Sequence, residues 1–271
     1  MEDQGVMADP EKLGIPVLHT SPLLLVVKPK AKDKTASERN IKDLRLVGAF
    51  NQLNEHIQSI LAIRKSPDET FRIIAKFKYI FVADASDYFY QQWLHQSKWP
   101  YMGVQKPFKG KKVITRACQG TKGMSEKSDE LMAKCLLDMI VDEQATQDHD
   151  DLTTGGQDFD TALKNFEWLL SIFQRNNLKL APHKTICCPK QVQISGWEWK
   201  DGKVYPSSHQ INTLENITQD SIKNVNNMRS YIGLYKVFFR AHPGQASILA
   251  PLEDACAGKN TKDDIEWTTE L

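Results

Sequence analysis

The sequence predicts an α+β protein in which short antiparallel strands alternate with helices and a helical segment closes the chain. Three observations carry this. Two short apolar runs, residues 23–28 (LLLVVK) and 44–50, flank a lysine-rich polar stretch, as the arms of a hairpin would. A β-rich run at 79–83 (YIFVA) stops at Asp84. Apolar residues recur at helical spacing over 124–143, 160–175 and 225–240.

Taken in order, 23–28 and 44–50 read as strands and the polar stretch to about residue 43 as a loop or hairpin tip. Residues 86–94, rich in aromatics, read as a helix after the strand that ends at Asp84. Residues 100–117 read as strand and turn, with Gly110 at a bend. Leu131, Met132, Cys135, Leu136, Met139 and Ile140 give one helix over 124–143, and Leu163, Phe166, Leu169, Leu170 and Phe173 give another over 160–175. Residues 194–199, then Asp201-Gly202, then 203–205 read as a hairpin with a primed turn. The polar stretch 201–222 reads as the separation between a mixed domain and a helical one. Met228, Ile232, Tyr235 and Phe239 make one stripe of a last helix, which Pro243-Gly244 breaks.

With 271 residues, 41% hydrophobic and 25% charged, the composition is that of a globular protein able to bury a core. No apolar run reaches the ~18 residues of a membrane span, so no membrane partner is expected. The acidic, polar start of the chain does not read as a secretory signal. Five cysteines without framework spacing read as reduced thiols of the cytoplasm, not as disulfides or a zinc site. The net charge is +1, so any basic field must be local. Lysines and arginines crowd 28–45 and 106–122, while acids gather over 142–160. Such blocks suit a polyanion-binding enzyme, and equally two solvated faces.

Three carboxylates stand out. Asp84 ends an apolar strand, and Asp150 and Asp151 are adjacent within residues 147–152 (QDHDDL). Nucleotidyl transfer needs two divalent cations held by hard oxygen ligands, and one or two carboxylates with substrate phosphates satisfy Mg2+. Adjacent aspartates are also what a solvated turn contains, so these residues alone leave both readings open.

Their order along the chain resembles reverse transcriptases of retroviruses and gypsy-type retrotransposons, over residues 14–252. Ser21-Pro22 leads to a strand ending at Lys28, and Arg45 precedes Leu53-Asn54, as in the family's fingers. Asp84 is followed five residues later by Phe89. Cys118-Gln119-Gly120 followed by Ser125 stands for the family's Pro-Gln-Gly-x-x-x-Ser. Asp148-His149-Asp150-Asp151 stands for aromatic-x-Asp-Asp. Leu178 to Lys184 resembles the family's Gly-Leu-x-Leu-x-Pro-x-Lys segment, and residues 194–199 its primer-grip hairpin. Met228 to Arg240 resembles the thumb motif of gypsy-type elements, which Ala250-Pro251-Leu252 closes. Four positions depart from the pattern: Ala49 and Asn51 stand where an acid and an arginine are usual, Cys118 replaces a proline, and Asp148 replaces the aromatic.

The resemblance implies a right-hand polymerase fold. Fingers would occupy about 14–83 and 95–117, palm about 84–94 and 118–205, and a helical thumb 206–260, with 261–271 starting a tether. It implies an RNA-directed DNA polymerase that extends a primer with deoxynucleotides on an RNA or DNA template. Asp84, Asp150 and Asp151 would hold two Mg2+ ions, with Mn2+ as the alternative. Lys28, Arg45 and Gln119 would hold the nucleotide, with the backbone N–H groups of Asp87 and Tyr88 on the triphosphate. Gly120 would allow close backbone approach, and Phe89 would exclude a 2′-hydroxyl. Gly196, Trp197 and Glu198 would form the primer grip. Asp148 motivates an alternative: a degenerate palm that binds primer–template without polymerising. No Asp-Ser/Thr-Gly protease signature is present, and the chain ends shortly after Trp267, where an RNase H would begin. A piece of a Pol polyprotein that copies RNA without degrading it is therefore expected, with RNase H and integrase as further domains of the parent and virus-like particles as a setting.

Overall fold

A computed structural model of the protein describes all residues except 3, 62–65, 107–109, 237–243 and 268–271, and leaves the side chains of residues 30 and 42 undescribed. The α+β class is as expected, built on three sheets. The first has five strands in the order β1 (Met7–Ala8), β6 (Gly110–Ile114), β5 (Gly103–Lys106), β2 (Thr20–Val27) and β3 (Leu44–Gly48). Its pairings are antiparallel except β2 with β5. The second runs β7 (Ala145–Asp148), β8 (Asp151–Gly156), β4 (Tyr79–Asp84) and β9 (Ile186–Cys187), all antiparallel. The third is the meander β10 (Gln191–Ile194), β11 (Trp197–Lys200) and β12 (Lys203–Pro206). Short helices α1 (Pro10–Leu13) and α2 (Asn51–Glu55) border the first sheet, and α3 (Pro67–Ile74) precedes β4.

The second sheet is covered on both faces, which is why β4 is a continuous apolar run. Side chains alternate along the strand. Ile80 and Val82 face a cluster with Ile73, Ile74, Trp197 and the fully buried Trp199. Ala83 and its neighbour Leu152 face a second cluster under α6 (Phe159–Arg175), and Phe81 stacks on Phe166 at 4.5 Å. Asp158 caps α6 by accepting from the Thr161 N–H at 2.8 Å. Asp84 and the aspartates at the start of β8 thus emerge at one end of a rigid, two-sided core.

Several expected elements differ. The helix read over 86–94 is a single 3₁₀ turn, Tyr88–Gln91, entered through Asp87 at φ 48°. The backbone then leaves the helix because Gln92 and Leu94 pair with Ala117 and Thr115 beside β6. The helix read over 124–143 is two, α4 (Met124–Cys135) and α5 (Leu137–Val141), broken at Leu136, whose side chain is fully buried. The strand read over 194–199 is interrupted by a turn at Ser195-Gly196, with φ of 47° and 80°. Two consecutive left-handed residues make this a primed turn, which Gly196 adopts without a Cβ penalty. The expected primed turn at Asp201-Gly202 is present, with φ of 50° and 76°. The stretch 201–222 is ordered: after β12 comes α7 (Ser208–Glu215), capped by Ser207.

The chain closes with α8 (Val225–Lys236) and α9 (Gln245–Cys256), which pack Val225, Met228, Ile232, Leu249 and Cys256 into their own small core. Arg229 donates to the carbonyls of Cys256 and Lys259 at 3.1 and 3.0 Å, placing a cation at the C-terminal end of α9. The Phe238-Phe239-Arg240 part of the thumb resemblance lies outside the described residues. No helix among them is long and apolar enough to cross a membrane.

Candidate active site

The β7–β8 hairpin turns at His149-Asp150. His149 takes the left-handed conformation, φ 57°, so two residues suffice to reverse the chain. The flanks look polar in sequence but are structural: Thr146, Thr153 and Thr154 are buried, and the Thr154 hydroxyl donates to the Gln144 carbonyl at 2.7 Å. Threonine is β-branched and suits a strand, and its hydroxyl needs only one such partner to be buried.

The register places the carboxylates together. Asp84 pairs across the sheet with Asp151, and Asp151 pairs with Asp148 across the hairpin. The Ala85 N–H donates to the Asp150 carbonyl at 2.8 Å, which locks the strand end to the turn. Packing around Asp151, then the charges of Asp150, Asp84 and Asp148, raise its carboxyl above the usual range. Its surface is still open to solvent, so the like charges are the part a bound cation would relieve. Lys184, in the 3₁₀ turn after α6, already does some of this: its ammonium donates to Asp84 Oδ2 at 2.7 Å. That bond, with the charges of Asp84, Asp150 and Asp151, raises the Lys184 pKa.

A cleft of about 580 Å3 opens in front of Asp84 and Asp150. Its walls include Lys28, just past the end of β2, Arg45 of β3, Asp87, Tyr88 and Phe89 at the 3₁₀ turn, Gln119, and Lys184. Phe89 also packs against the core under α6 and meets Tyr88 edge-on at 5.3 Å. Asp151 and Gly120 are not part of the lining. Gly120 has φ 95°, while a Cβ there would meet protein only at ordinary contact, 3.5 Å from the Gly48 carbonyl. Backbone angle, rather than crowding within the protein, therefore favours glycine at this position.

Gly196, Trp197 and Glu198 lie apart from this cleft. Trp197 is buried against Phe71, ring centres 5.2 Å apart, and Glu198 is on the partly exposed opposite face of β11. The link to the β7–β8 hairpin is the neighbouring turn residue: the Ser195 hydroxyl donates to Asp148 Oδ2.

Three further residues shape the site. Asn54 spans the loop carrying Gln119, donating to the Gly120 carbonyl at 2.9 Å and accepting from the Lys122 N–H at 2.8 Å. Lys184 stood within a resembling segment, without an assigned role. Asp129 on α4 accepts from the Tyr88 hydroxyl and approaches His149. Its signal was available: Asp129 falls on the same helical stripe as the buried Met132 and Leu136, where an acid needs a partner.

Among the described residues no three His, Cys, Asp or Glu side chains already converge as a metal cage. Two carboxylates, Asp84 and Asp150, facing one cleft are the hard-oxygen set that Mg2+ accepts when substrate phosphates and water complete its shell. The residues fit such a substrate-completed site, with Lys184 bound where a cation would act.

No family model matches the sequence, and no curated protein matches it. Solved structures do. The foamy viral protease-reverse transcriptase dRH in complex with double-stranded DNA superposes with a TM-score of 0.78 at 19% identity, over 99% of this chain and 44% of that one. The foamy viral protease-reverse transcriptase with double-stranded DNA gives 0.76 at 19%, over 99% and 52%; with an RNA/DNA hybrid it gives 0.70 at 20%, over 99% and 33%. This chain therefore has a reverse transcriptase-like fold, and spans between a third and about half of the chains it matches.

Proposed function

We propose that the chain is an RNA-directed DNA polymerase, adding deoxynucleotides to a primer 3′ end. The observation that carries this is the single cleft shared by Asp84, Asp150, Lys28, Arg45, Phe89 and Gln119, which come from four separate parts of the sequence. Lys28 and Arg45 supply the positive charge that a triphosphate requires. The backbone N–H groups of Asp87 and Tyr88, at the left-handed entry to the 3₁₀ turn, add donors beside it. Phe89, packed on the core on one side, lines the cleft and would exclude a ribose 2′-hydroxyl. Asp84 and Asp150 would hold two Mg2+ ions, or Mn2+, supported by Asp151; when bound, these ions activate the attacking 3′-hydroxyl and neutralise the leaving pyrophosphate. The turn Ser195-Gly196 with the β11 backbone would hold the primer end, since Trp197 itself is committed to the core.

That the structural neighbours were solved with double-stranded DNA and with an RNA/DNA hybrid supports nucleic-acid partners for this chain too. A retroelement Pol polyprotein of gypsy or retroviral type, with RNase H and integrase as companion domains and a cytoplasmic or particle-bound setting, is the context the sequence resemblance suggests.

Two observations favour a second reading, a palm that grips primer–template without polymerising. Lys184 neutralises Asp84, and Asp148 stands in the aromatic position. Primer extension on an RNA template with deoxynucleotides separates the two. Extension by the wild type that Asp150→Asn abolishes supports the polymerase; duplex binding without extension supports the second reading.

A further inference from the structure

Asp129 is only 7% exposed, yet its carboxylate belongs to no recognised part of the site. A buried carboxylate is tolerable only with donors around it. Here the donors come from two separate segments. The Tyr88 hydroxyl donates to Oδ1 at 2.9 Å. His149 Nδ1 lies 3.2 Å from Oδ1 and 3.1 Å from Oδ2. Gln147 closes the network, its amide donating to the Tyr88 hydroxyl at 3.3 Å and to the carbonyls of Asp129 and His149 at 3.4 Å each. Burial, then the Asp129 charge, raise the Tyr88 pKa, so its hydroxyl keeps the proton it donates.

The two segments are the ones whose spacing the chemistry needs. Tyr88 immediately precedes Phe89, and His149 immediately precedes Asp150. His149 also holds the left-handed conformation on which the hairpin tip depends, a state that persists only when surrounding contacts fix it. Neither residue is on α4, so one carboxylate of that helix engages both turns, alongside the Gln147 amide between them and the Ser125 hydroxyl of α4, 3.3 Å from His149 Nδ1.

We propose that Asp129 is a positioning residue that fixes the Phe89 turn against the Asp150 turn, and so couples sugar selection to nucleotidyl transfer. The kinetic half of this rests on the polymerase reading; the structural half does not.

Two measurements on Asp129→Ala, Asp129→Asn and Tyr88→Phe test it. In amide hydrogen exchange, Asp129→Ala speeds exchange in both 85–92 and 145–152 by about fivefold, the effect of roughly one hydrogen bond on a local opening. Asparagine keeps an acceptor for Tyr88, so Asp129→Asn restores protection over 85–92. Tyr88→Phe loosens 85–92 alone. In single-nucleotide addition, Asp129→Ala raises the deoxynucleotide KM and lowers discrimination against ribonucleotides, and Asp129→Asn restores discrimination. Exchange that is unchanged, or that rises equally in α8 and the rest of the chain, overturns the proposal, because Asp129 would then be a stability residue only. Unaltered discrimination in Asp129→Ala alongside an active wild type overturns its kinetic half. A wild type that extends no primer removes the polymerase reading, and the exchange result still decides the coupling.

Discussion

The Lys184 ammonium donates to Asp84 Oδ2 at 2.7 Å, so the strand-end carboxylate at the centre of the site is engaged by a cation of the protein itself. Lys184 is about half exposed and Asp84 nearly buried, so the pair is worth little more than a surface ion pair, roughly 0.2–1 kcal/mol. A divalent ion must displace it. Lys184→Gln is expected to tighten Mn2+ binding by roughly 1.4- to fivefold, which follows from that range. Electron paramagnetic resonance titration of free Mn2+ reads this without turnover. Unchanged affinity would mean that Lys184 and the ion do not share Asp84.

Asp151 gives a stability prediction of definite sign. Its carboxyl pKa is raised in the folded chain, so the folded state is penalised wherever Asp151 is ionised. Below the unfolded value of 3.8 both states are protonated and the penalty vanishes; it grows as pH rises through the folded value and is complete above it. Metal-free Asp151→Asn should therefore melt higher than wild type at neutral pH, with the difference closing as pH falls toward 4. Thermal unfolding with chelator present checks this, and added Mg2+ should shrink the gap by relieving the like charges in the wild type.

Phe89→Ala should admit ribonucleotides. Removing the ring opens the cleft wall beside the sugar, and at least about a tenfold loss of discrimination, equivalent to ~1.4 kcal/mol, is expected. The same ring packs against the core, so the variant should also lose stability, by an amount below the ~3–5 kcal/mol typical of a fully buried phenylalanine. Comparing deoxy- and ribonucleotide addition at matched folded concentration separates the two effects.

Asn54→Ala should act on nucleotide binding from a distance. It removes both bonds that hold the loop of Gln119 and Gly120, each worth about 1 kcal/mol. The expected result is a higher deoxynucleotide KM with kcat little changed. If instead kcat falls and KM holds, the loop serves the chemical step.

Much of this was legible in the sequence, and the misses have physical causes. The strand ending at Asp84 and the helix after Asp158 followed from local pattern because packing merely confirmed it. The aromatic stretch 86–94 did not: its backbone is set by a 3₁₀ turn and by cross-strand pairing to 115–117, partners more than twenty residues away, with Tyr88 buried and Trp93 left exposed. Leu136 interrupts a helix whose periodicity runs through it, with φ −97° and ψ 10° at a fully buried position of the core, a departure that apolar spacing does not register. That Asp84, Phe89, Gln119 and Asp150 share one cleft agrees with the order and spacing on which the resemblance rests. Asp129 and Asn54 were not legible in this way, since a side chain that supports a site through another residue leaves only a polar position in an apolar or loop context. The polar flanks of the hairpin are strand because Thr146, Thr153 and Thr154 are buried in it, the Thr154 hydroxyl donating to the Gln144 carbonyl.

The most direct test of the central claim is extension of a DNA primer by one deoxynucleotide on an RNA template in Mg2+, wild type beside Asp84→Asn. The account predicts addition by the wild type and a loss of at least about a thousandfold in Asp84→Asn, the ~4 kcal/mol expected when a principal charge-stabilising ligand is neutralised. Equal addition by both proteins, or none by a wild type that still binds the duplex, would contradict it.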